Sequence, residues 1–153
     1  MIGVTSPVVL LAVEDNPGDI RLLEEALRTS RLLNELVVAH DGVEALAMLH
    51  REAPFSEARF PHLILLDLNL PRKDGREVLR ELKADQRLRS IPVVILSSSR
   101  AEEDVRTAYD GHANCYVVKP IDFADLQRVV QEIEGFWFST VTLPSRPEEA
   151  EGG

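Results

Sequence analysis

Four apolar runs along the chain each end in polar residues. They are Val8–Val13 before Glu14 and Asp15, His62–Leu66 before Asp67, Ile91–Leu96 before Ser97, and Cys115–Val118 before Lys119. Continuous apolar runs are typical of strands that are buried on both faces of a parallel sheet. Ligands of open α/β sheets bind at the carboxyl ends of such strands. The pattern therefore predicts strands whose ends supply the polar groups of one site.

Between these runs the spacing of apolar residues changes to that of amphipathic helices. Asn16 and Pro17 are typical of a helix cap followed by proline at the first helical position, and they predict a first helix as far as Ser30. A short second strand is predicted at residues 36–39, and Asp41 is placed to cap a second helix. Further helices are predicted over residues 75–85, 101–109 and 122–138, and residues 52–61 are predicted to form a loop.

The alternation of strands and helices predicts an α/β fold. Short connections between parallel strands imply right-handed crossovers and a doubly wound, five-stranded parallel sheet with five helices. We expect the strand order 2-1-3-4-5. Residues 1–7 are predicted to form an N-terminal tail, residues 8–143 one domain with a C-terminal arm, and residues 144–153 a disordered acidic tail.

Composition narrows the classes of function. The net charge of −9 opposes non-specific attraction to nucleic acid phosphates. No apolar stretch is long enough to cross a bilayer, and the first residues lack the basic region of a secretion signal. The one cysteine, Cys115, excludes an intramolecular disulfide. A cytoplasmic protein with neither nucleic acid nor membrane as partner is therefore predicted.

The polar residues at the strand ends carry a resemblance to a known family. The chain resembles the response-regulator receiver domain of bacterial two-component signalling over about residues 8 to 138. The match rests on the acidic pair Glu14 and Asp15, on Asp67, Pro71, Gly75, Ser97 and Tyr116, and on Lys119 with Pro120. Within the family it looks closest to the single-domain regulators that partner phytochrome-type histidine kinases, through residues 67–79, the long loop before strand three, and residues 136–144.

Three carboxylates at one sheet edge repel one another, so that one of them has a raised pKa or a cation lies among them. A hard cation is the simpler answer, and Mg²⁺ typically takes one or two carboxylates, waters and substrate phosphate. Asp15 and Asp67 are the expected direct ligands, with Glu14 acting through water and the backbone carbonyl of Asn69 completing the set.

The resemblance implies a role for each remaining residue. Asp67 accepts the phosphoryl group, whose oxygens are contacted by Mg²⁺, Lys119 and the Ser97 hydroxyl. Ser97 and Tyr116 form a switch that remodels the face made by helix four, strand five and helix five. Asn69 and Ser99 tune the water attack that removes the phosphate. A cis peptide bond before Pro120 is expected to aim the lysine inward.

The expected partners are proteins. The resemblance implies a sensor histidine kinase, possible relay to a downstream histidine phosphotransfer protein, and a homodimer. Phe136, Trp137 and Phe138 form an aromatic cluster at the end of helix five, and such clusters are enriched at interfaces. Packing of these rings against the domain's own core is an equally good interpretation of the same cluster. We predict a dimer arm.

Two alternative functions stay open. An aspartyl-nucleophile phosphohydrolase also places an aspartate after a buried strand, but that family carries a second aspartate two residues later, where this chain has Asn69. A receiver-like adaptor that is never phosphorylated would not need the complete set of acids, hydroxyl and lysine. The favoured prediction is a signalling protein that catalyses only its own phosphorylation and dephosphorylation and is not an enzyme acting on a free metabolite.

Overall fold

A computed structural model describes residues 7–144 and contains a five-stranded parallel sheet. The strand order is 2-1-3-4-5, as predicted. The strands are β1 (Val8–Val13), β2 (Asn34–Ala39), β3 (Leu63–Leu66), β4 (Val93–Ser97) and β5 (Cys115–Val118). Every neighbouring pair is parallel. The carboxyl ends of β1, β3 and β4 therefore lie side by side at one edge of the sheet.

The described residues contain five α-helices, the last of which follows the final strand, and four of the five carry a side-chain cap. They are α1 (Pro17–Arg28), α2 (Gly42–Leu49), α3 (Gly75–Ala84), α4 (Glu102–Asp110) and α5 (Phe123–Gly135). The caps are Asn16, Asp41, Asp74 and Asp122, each accepting a hydrogen bond from a backbone N–H in the first turn. These bonds satisfy amide groups that lack a partner within the helix. Among residues 7–144, no helix combines the length and apolar character that a membrane span requires.

The central strands are buried on both faces because helices cover both sides of the sheet. Leu11 and Val13 face a core shared with α2, α3 and α4, whereas Leu10 and Ala12 face a core shared with α1 and α5. All residues of β3 and β4 are buried, while the edge strands β2 and β5 are largely half-buried. The continuous apolar runs thus correspond to two-sided burial.

Several predicted boundaries differ from the structure. Strand β2 begins at Asn34, two residues before its apolar part, and α1 ends at Arg28 rather than Ser30. Strand β4 begins at Val93 because Pro92 has no backbone N–H to donate to the sheet. The predicted disordered tail and most of the predicted N-terminal tail lie outside the described residues.

The fifth helix also ends differently from the prediction. It is α-helical only to Gly135 and continues as a π-helical turn over Phe136–Thr140. A regular α-helix rotates consecutive residues by about 100°. In the wider turn both Trp137 and Phe138 pack against the core formed with α1 and α5. The two neighbouring aromatic side chains of this turn thus pack on the same core.

Candidate functional site

Two neighbouring strands deliver carboxylates to the carboxyl edge of the sheet. Glu14 and Asp15 follow β1, Asp67 follows β3, and the register pairs Val13 with Leu66 at the ends of these strands. One oxygen of each carboxylate lies within 4.8 Å of the others. Like charges this close repel one another, whereas a hard cation takes oxygen ligands. The three predicted metal-binding carboxylates are therefore brought together in a donor set that fits such an ion.

Glu14 is buried, and both of its oxygens are engaged by the protein. Oε2 accepts a hydrogen bond from the Asn16 backbone N–H at 3.1 Å, and Oε1 accepts one from Lys119 Nζ at 2.7 Å. Burial raises the pKa of the Glu14 carboxyl, and the hydrogen bond and charge of Lys119 only partly oppose this increase. This engagement is compatible with a contact to a cation through water.

Asp67 lies at the floor of the site and is 9% exposed. Its Oδ1 accepts a hydrogen bond from the Asn69 backbone N–H at 3.3 Å, and its Oδ2 lies 3.4 Å from Lys119 Nζ. Gly75 approaches the same residue from α3, because a Cβ atom at Gly75 would lie 2.1 Å from the Asp67 carbonyl oxygen. A side chain at residue 75 would therefore displace the backbone that carries the aspartate.

Lys119 is the only ammonium in the described site, and it contacts three carboxylates. Its Nζ lies 2.7 Å from Glu14 Oε1, 2.8 Å from Asp19 Oδ2 and 3.4 Å from Asp67 Oδ2. Burial alone would lower the pKa of Lys119, but the hydrogen bonds to Asp19 and Glu14 and the charge of Asp67 raise it above its ordinary value. The lysine is therefore a permanent cation in this site.

Asp19 was not predicted as a site residue. It occupies the third position of α1, where an acidic residue is common because it stabilises the helix N-terminus. The sequence offers only that local interpretation. The contact with Lys119 joins residues 100 positions apart and depends on the tertiary structure that brings the first turn of α1 to the residue after β5.

The predicted switch residues lie at the end of β4 and on β5. Ser97 is fully buried, and its Oγ accepts a hydrogen bond from the Ser99 backbone N–H at 3.3 Å. Tyr116 is half-buried, and its hydroxyl donates to the Ser99 carbonyl oxygen at 2.9 Å. The Ser97 hydroxyl and the Tyr116 ring are thus connected through one residue of the β4–α4 loop.

Comparison with known proteins agrees with this geometry. The family model for the response regulator receiver domain matches residues 10–131. The chain belongs to the response regulator receiver domain family. This response regulator is 49% identical to response regulator Rcp1 of Synechocystis sp. over 139 residues, which are 91% of this chain and 95% of Rcp1.

Two solved structures show the same fold. The phosphorylated cyanobacterial phytochrome response regulator RcpA matches with a TM-score of 0.88 and 51% identity over 92% of this chain and all of RcpA. The Mn²⁺-bound form of Rcp1 matches with a TM-score of 0.85 and 49% identity over 91% of this chain and all of that one. The metal in Rcp1 and the acidic cluster in this response regulator together support a site for a divalent cation.

The Lys119–Pro120 bond does not have the predicted geometry. In the described residues the cis peptide bond joins Ala53 to Pro54, and the bond before Pro120 is trans. The prediction of a cis bond is therefore wrong for this structure. The trans isomer is the more stable form of an X-Pro bond, and Lys119 reaches the carboxylates without the cis form.

The three aromatic residues of the predicted arm do not behave alike. Trp137 and Phe138 are half-buried against the domain's own core, and the Phe138 ring meets His62 edge to face at 6.5 Å. Burial raises the pKa of the Cys115 thiol, and the neighbouring Trp137 side chain only partly opposes this increase. Phe136 is 51% exposed. Packing within the domain thus accounts for two of the rings, and Phe136 is the one available to a partner.

Proposed function

We propose that this response regulator accepts a phosphoryl group on Asp67 from the phosphohistidine of a sensor kinase. The observation that carries the proposal is the convergence of Asp67, two further carboxylates and Lys119 at one sheet edge. Because the chain belongs to the receiver domain family, we take a phosphohistidine as the donor of this phosphoryl group. Ser97 lies at the end of the next strand, within the same edge.

In the transfer, an oxygen of Asp67 forms a bond to phosphorus while the bond from phosphorus to the histidine nitrogen breaks. The electron pair of the broken bond stays on the imidazole, and the product is an acyl phosphate. Lys119 supplies a fixed positive charge, and the Ser97 hydroxyl donates to a phosphoryl oxygen. The catalytic task of the protein is to position these groups and to balance charge.

We propose Mg²⁺ as the metal, held by Asp15, Asp67 and the backbone carbonyl of Asn69, with Glu14 acting through water. When bound, Mg²⁺ supplies positive charge to the phosphoryl oxygens. Oxygen ligands with several retained waters suit this ion. The Mn²⁺-bound structure of Rcp1 and the acidic cluster support a divalent cation, and the choice of Mg²⁺ rests on this ligand chemistry.

After phosphorylation, the Ser97 hydroxyl is drawn toward the phosphoryl group, and its link to Ser99 carries the movement to Tyr116. The altered surface is formed by α4, β5 and α5. Asn69 and Ser99 limit the water attack that returns Asp67 to its free carboxylate. The output is contact with a partner protein or relay of phosphate to a histidine phosphotransfer protein.

The partner that we propose is a phytochrome-type histidine kinase. The support is the similarity to RcpA, which is described as a phytochrome response regulator. We further propose a cytoplasmic homodimer that uses Phe136, does not bind nucleic acid and turns over no free metabolite. The net charge of −9 supports the exclusion of nucleic acid.

The two alternative functions predict different chemistry. A phosphohydrolase needs a carboxylic acid near the nucleophile to donate and accept a proton, and Asn69 cannot do so. An adaptor that is never phosphorylated gives no reason for a lysine that is 10% exposed to contact Asp67. Both are therefore weaker accounts of the site.

The test is intact-mass measurement after incubation with acetyl phosphate, with Mg²⁺ or with chelator. We expect the wild type and the control variant Asp110→Asn, an exposed residue of α4, to gain one phosphoryl group only with Mg²⁺. Asp67→Asn is expected to gain none because its amide is not a nucleophile. A folded wild type without any gain would favour the adaptor, and rapid turnover of the donor would favour the phosphohydrolase.

A further inference from the structure

The Lys119 ammonium has three N–H donors, and each faces a carboxylate. Two of these carboxylates, Glu14 and Asp67, belong to the acidic cluster that fits a divalent cation. Asp19 is the third, and it is not part of that cluster. The lysine is therefore shared between the candidate metal site and one acid outside it.

The first turn of α1 fixes Asp19 in this position. The Asn16 side chain accepts a hydrogen bond from the Asp19 backbone N–H at 3.0 Å. In a capping box, an acidic side chain at this position reaches back to the N-cap backbone N–H. Here Glu14 Oε2 already accepts that N–H, so the Asp19 carboxylate is available to Lys119.

The three acceptors respond differently to a bound cation. With a divalent ion at the cluster, Glu14 and Asp67 offer less negative charge to the ammonium, and the ion itself repels it. Asp19 keeps its full charge at 2.8 Å from Lys119 Nζ. It is then the strongest anchor that holds the ammonium within the site.

We infer that Asp19 is a positioning residue, which keeps Lys119 directed at the phosphoryl position when the metal site is filled. The inference rests on the proposed function of Asp67 as phosphoacceptor. The distance of 3.4 Å from Lys119 Nζ to Asp67 Oδ2 is the longest of the three contacts. The N–H that faces Asp67 is therefore the one free to turn toward a phosphoryl oxygen. Glu14 and Asp19 hold the other two donors.

The first test observes the ammonium directly and does not depend on activity. Lysine ¹⁵N-ammonium signals are detected by NMR when hydrogen bonds slow proton exchange, and this chain has three lysines, at positions 73, 83 and 119. The Lys119 signal is assigned by its loss in Lys119→Ala. We expect it to persist in the wild type with saturating Mg²⁺, and to disappear from Asp19→Ala when Mg²⁺ is added.

Glu24→Ala is the matched control, since it removes one exposed carboxylate from the same helix. Its Lys119 signal is expected to behave as in the wild type. Melting curves by circular dichroism establish that the variants are folded, and alanine is well tolerated in a helix. A Lys119 signal that survives Mg²⁺ addition in Asp19→Ala, or one that is lost in the wild type, would overturn the role of Asp19.

The second test measures the initial rate of phosphorylation by acetyl phosphate at saturating Mg²⁺. We expect Asp19→Ala to be slower by about 10-fold, because displacing a positioned group by about 1 Å costs up to a hundredfold. Glu24→Ala is expected to keep the wild-type rate. In a Lys119→Ala background, Asp19→Ala is expected to have no further effect, since it acts through the lysine.

The outcomes separate the two proposals. Wild-type uptake with an equal rate in Asp19→Ala, or an Asp19→Ala effect that persists without Lys119, overturns the positioning role and leaves the function of Asp67 intact. A wild type that takes up no phosphoryl group overturns the proposed function and the positioning role with it.

Discussion

The Ser99 hydroxyl donates a hydrogen bond of 2.5 Å to Asp104 Oδ2, which joins the β4–α4 loop to the first turn of α4. The other oxygen of Asp104 accepts from Arg76 on α3 at 2.6 Å, and Arg76 also contacts both oxygens of Asp74. The loop that follows Ser97 is therefore tied to two helices. Any movement of the Ser97 hydroxyl has to be accommodated by this network.

The Ser99–Asp104 contact gives a pH dependence of stability. The hydrogen bond from Ser99 and that from Arg76 lower the pKa of Asp104 below its ordinary value of 3.8. Because the pKa of Asp104 is lower in the folded state, the ionised carboxylate stabilises the fold at pH values above its ordinary pKa. This stabilisation is lost as the pH falls through the folded-state pKa. We expect the wild type to melt above Asp104→Asn at pH 7 and the gap to close below about pH 4.

Asp110→Asn is the control for this comparison, because Asp110 is exposed on the same helix. Its melting temperature is expected to follow that of the wild type at every pH. A gap between the wild type and Asp104→Asn that stays constant from pH 7 to strongly acidic buffer would contradict the assignment of the charge-dependent contact.

Metal binding is expected to stabilise the fold because it relieves repulsion among Glu14, Asp15 and Asp67. At a free Mg²⁺ concentration of about 100 times Kd the gain is about 2.7 kcal/mol. For a domain of this size that corresponds to a rise in Tm of about 5 to 10 °C. The measurement compares melting curves in MgCl₂ with those in chelator.

Asp15→Ala removes an exposed member of the cluster and is expected to abolish most of this shift. Glu24→Ala removes a carboxylate remote from the cluster and is expected to keep it. Equal melting temperatures of the wild type with metal and with chelator would speak against a divalent cation at this site.

Much of the site was predictable because the relevant information is local. An apolar run followed by Glu14 and Asp15, or by Asp67, marks both the strand and the residue at its carboxyl end. A parallel sheet then brings those ends together whatever the details of packing. The cluster of three carboxylates follows from these two facts and is found in the structure. The strand order was expected from the doubly wound topology and is also found.

Other features depend on contacts between distant segments. The Asp19–Lys119 pair joins residues 100 positions apart, and Arg76 of α3 donates a hydrogen bond to Asp104 of α4. Asp19 and Asp104 each have an ordinary local explanation as an acidic residue in the first turn of a helix. The π-helical turn after Gly135 was also not predictable from the sequence, because it depends on how two aromatic side chains pack against one core.

For Glu134 we predict a pH dependence of stability that is opposite in sign to that for Asp104. Its Oε1 accepts a hydrogen bond from the Ser30 hydroxyl at 2.7 Å, but its Oε2 is buried and has no partner within residues 7–144. Burial raises the pKa of this carboxyl above 4.5. The contribution of protonated Glu134 to the free energy of unfolding is therefore fully present below the ordinary pKa of this carboxyl. It is lost as the pH rises through the pKa that Glu134 has in the folded state.

Glu134→Gln removes the charge while keeping the shape of the side chain. We expect it to raise the free energy of unfolding at pH 7 by about 1 to 3 kcal/mol, because the amide carries no charge that burial has to desolvate. The gain is expected to vanish near pH 4. Glu132→Gln, an exposed residue of the same helix, is the control, and a gain for Glu134→Gln that does not change with pH would contradict the prediction.

In the aromatic cluster after α5, we expect one residue to affect the stability of the domain and another to affect its association. Trp137 is half-buried against the core, so we expect Trp137→Ala to lower the free energy of unfolding by about 2 kcal/mol, less than for a fully buried ring. Phe136 is 51% exposed, and Phe136→Ala is expected to leave the melting temperature nearly unchanged.

If Phe136 anchors a homodimer, Phe136→Ala lowers the mass measured by light scattering to that of a monomer while the domain stays folded. This substitution is sharper than truncation after Glu134, because truncation also removes the packing of Trp137 and Phe138. A wild-type mass equal to that of one chain would refute the dimer. A dimer that persists in Phe136→Ala would locate the interface on another surface.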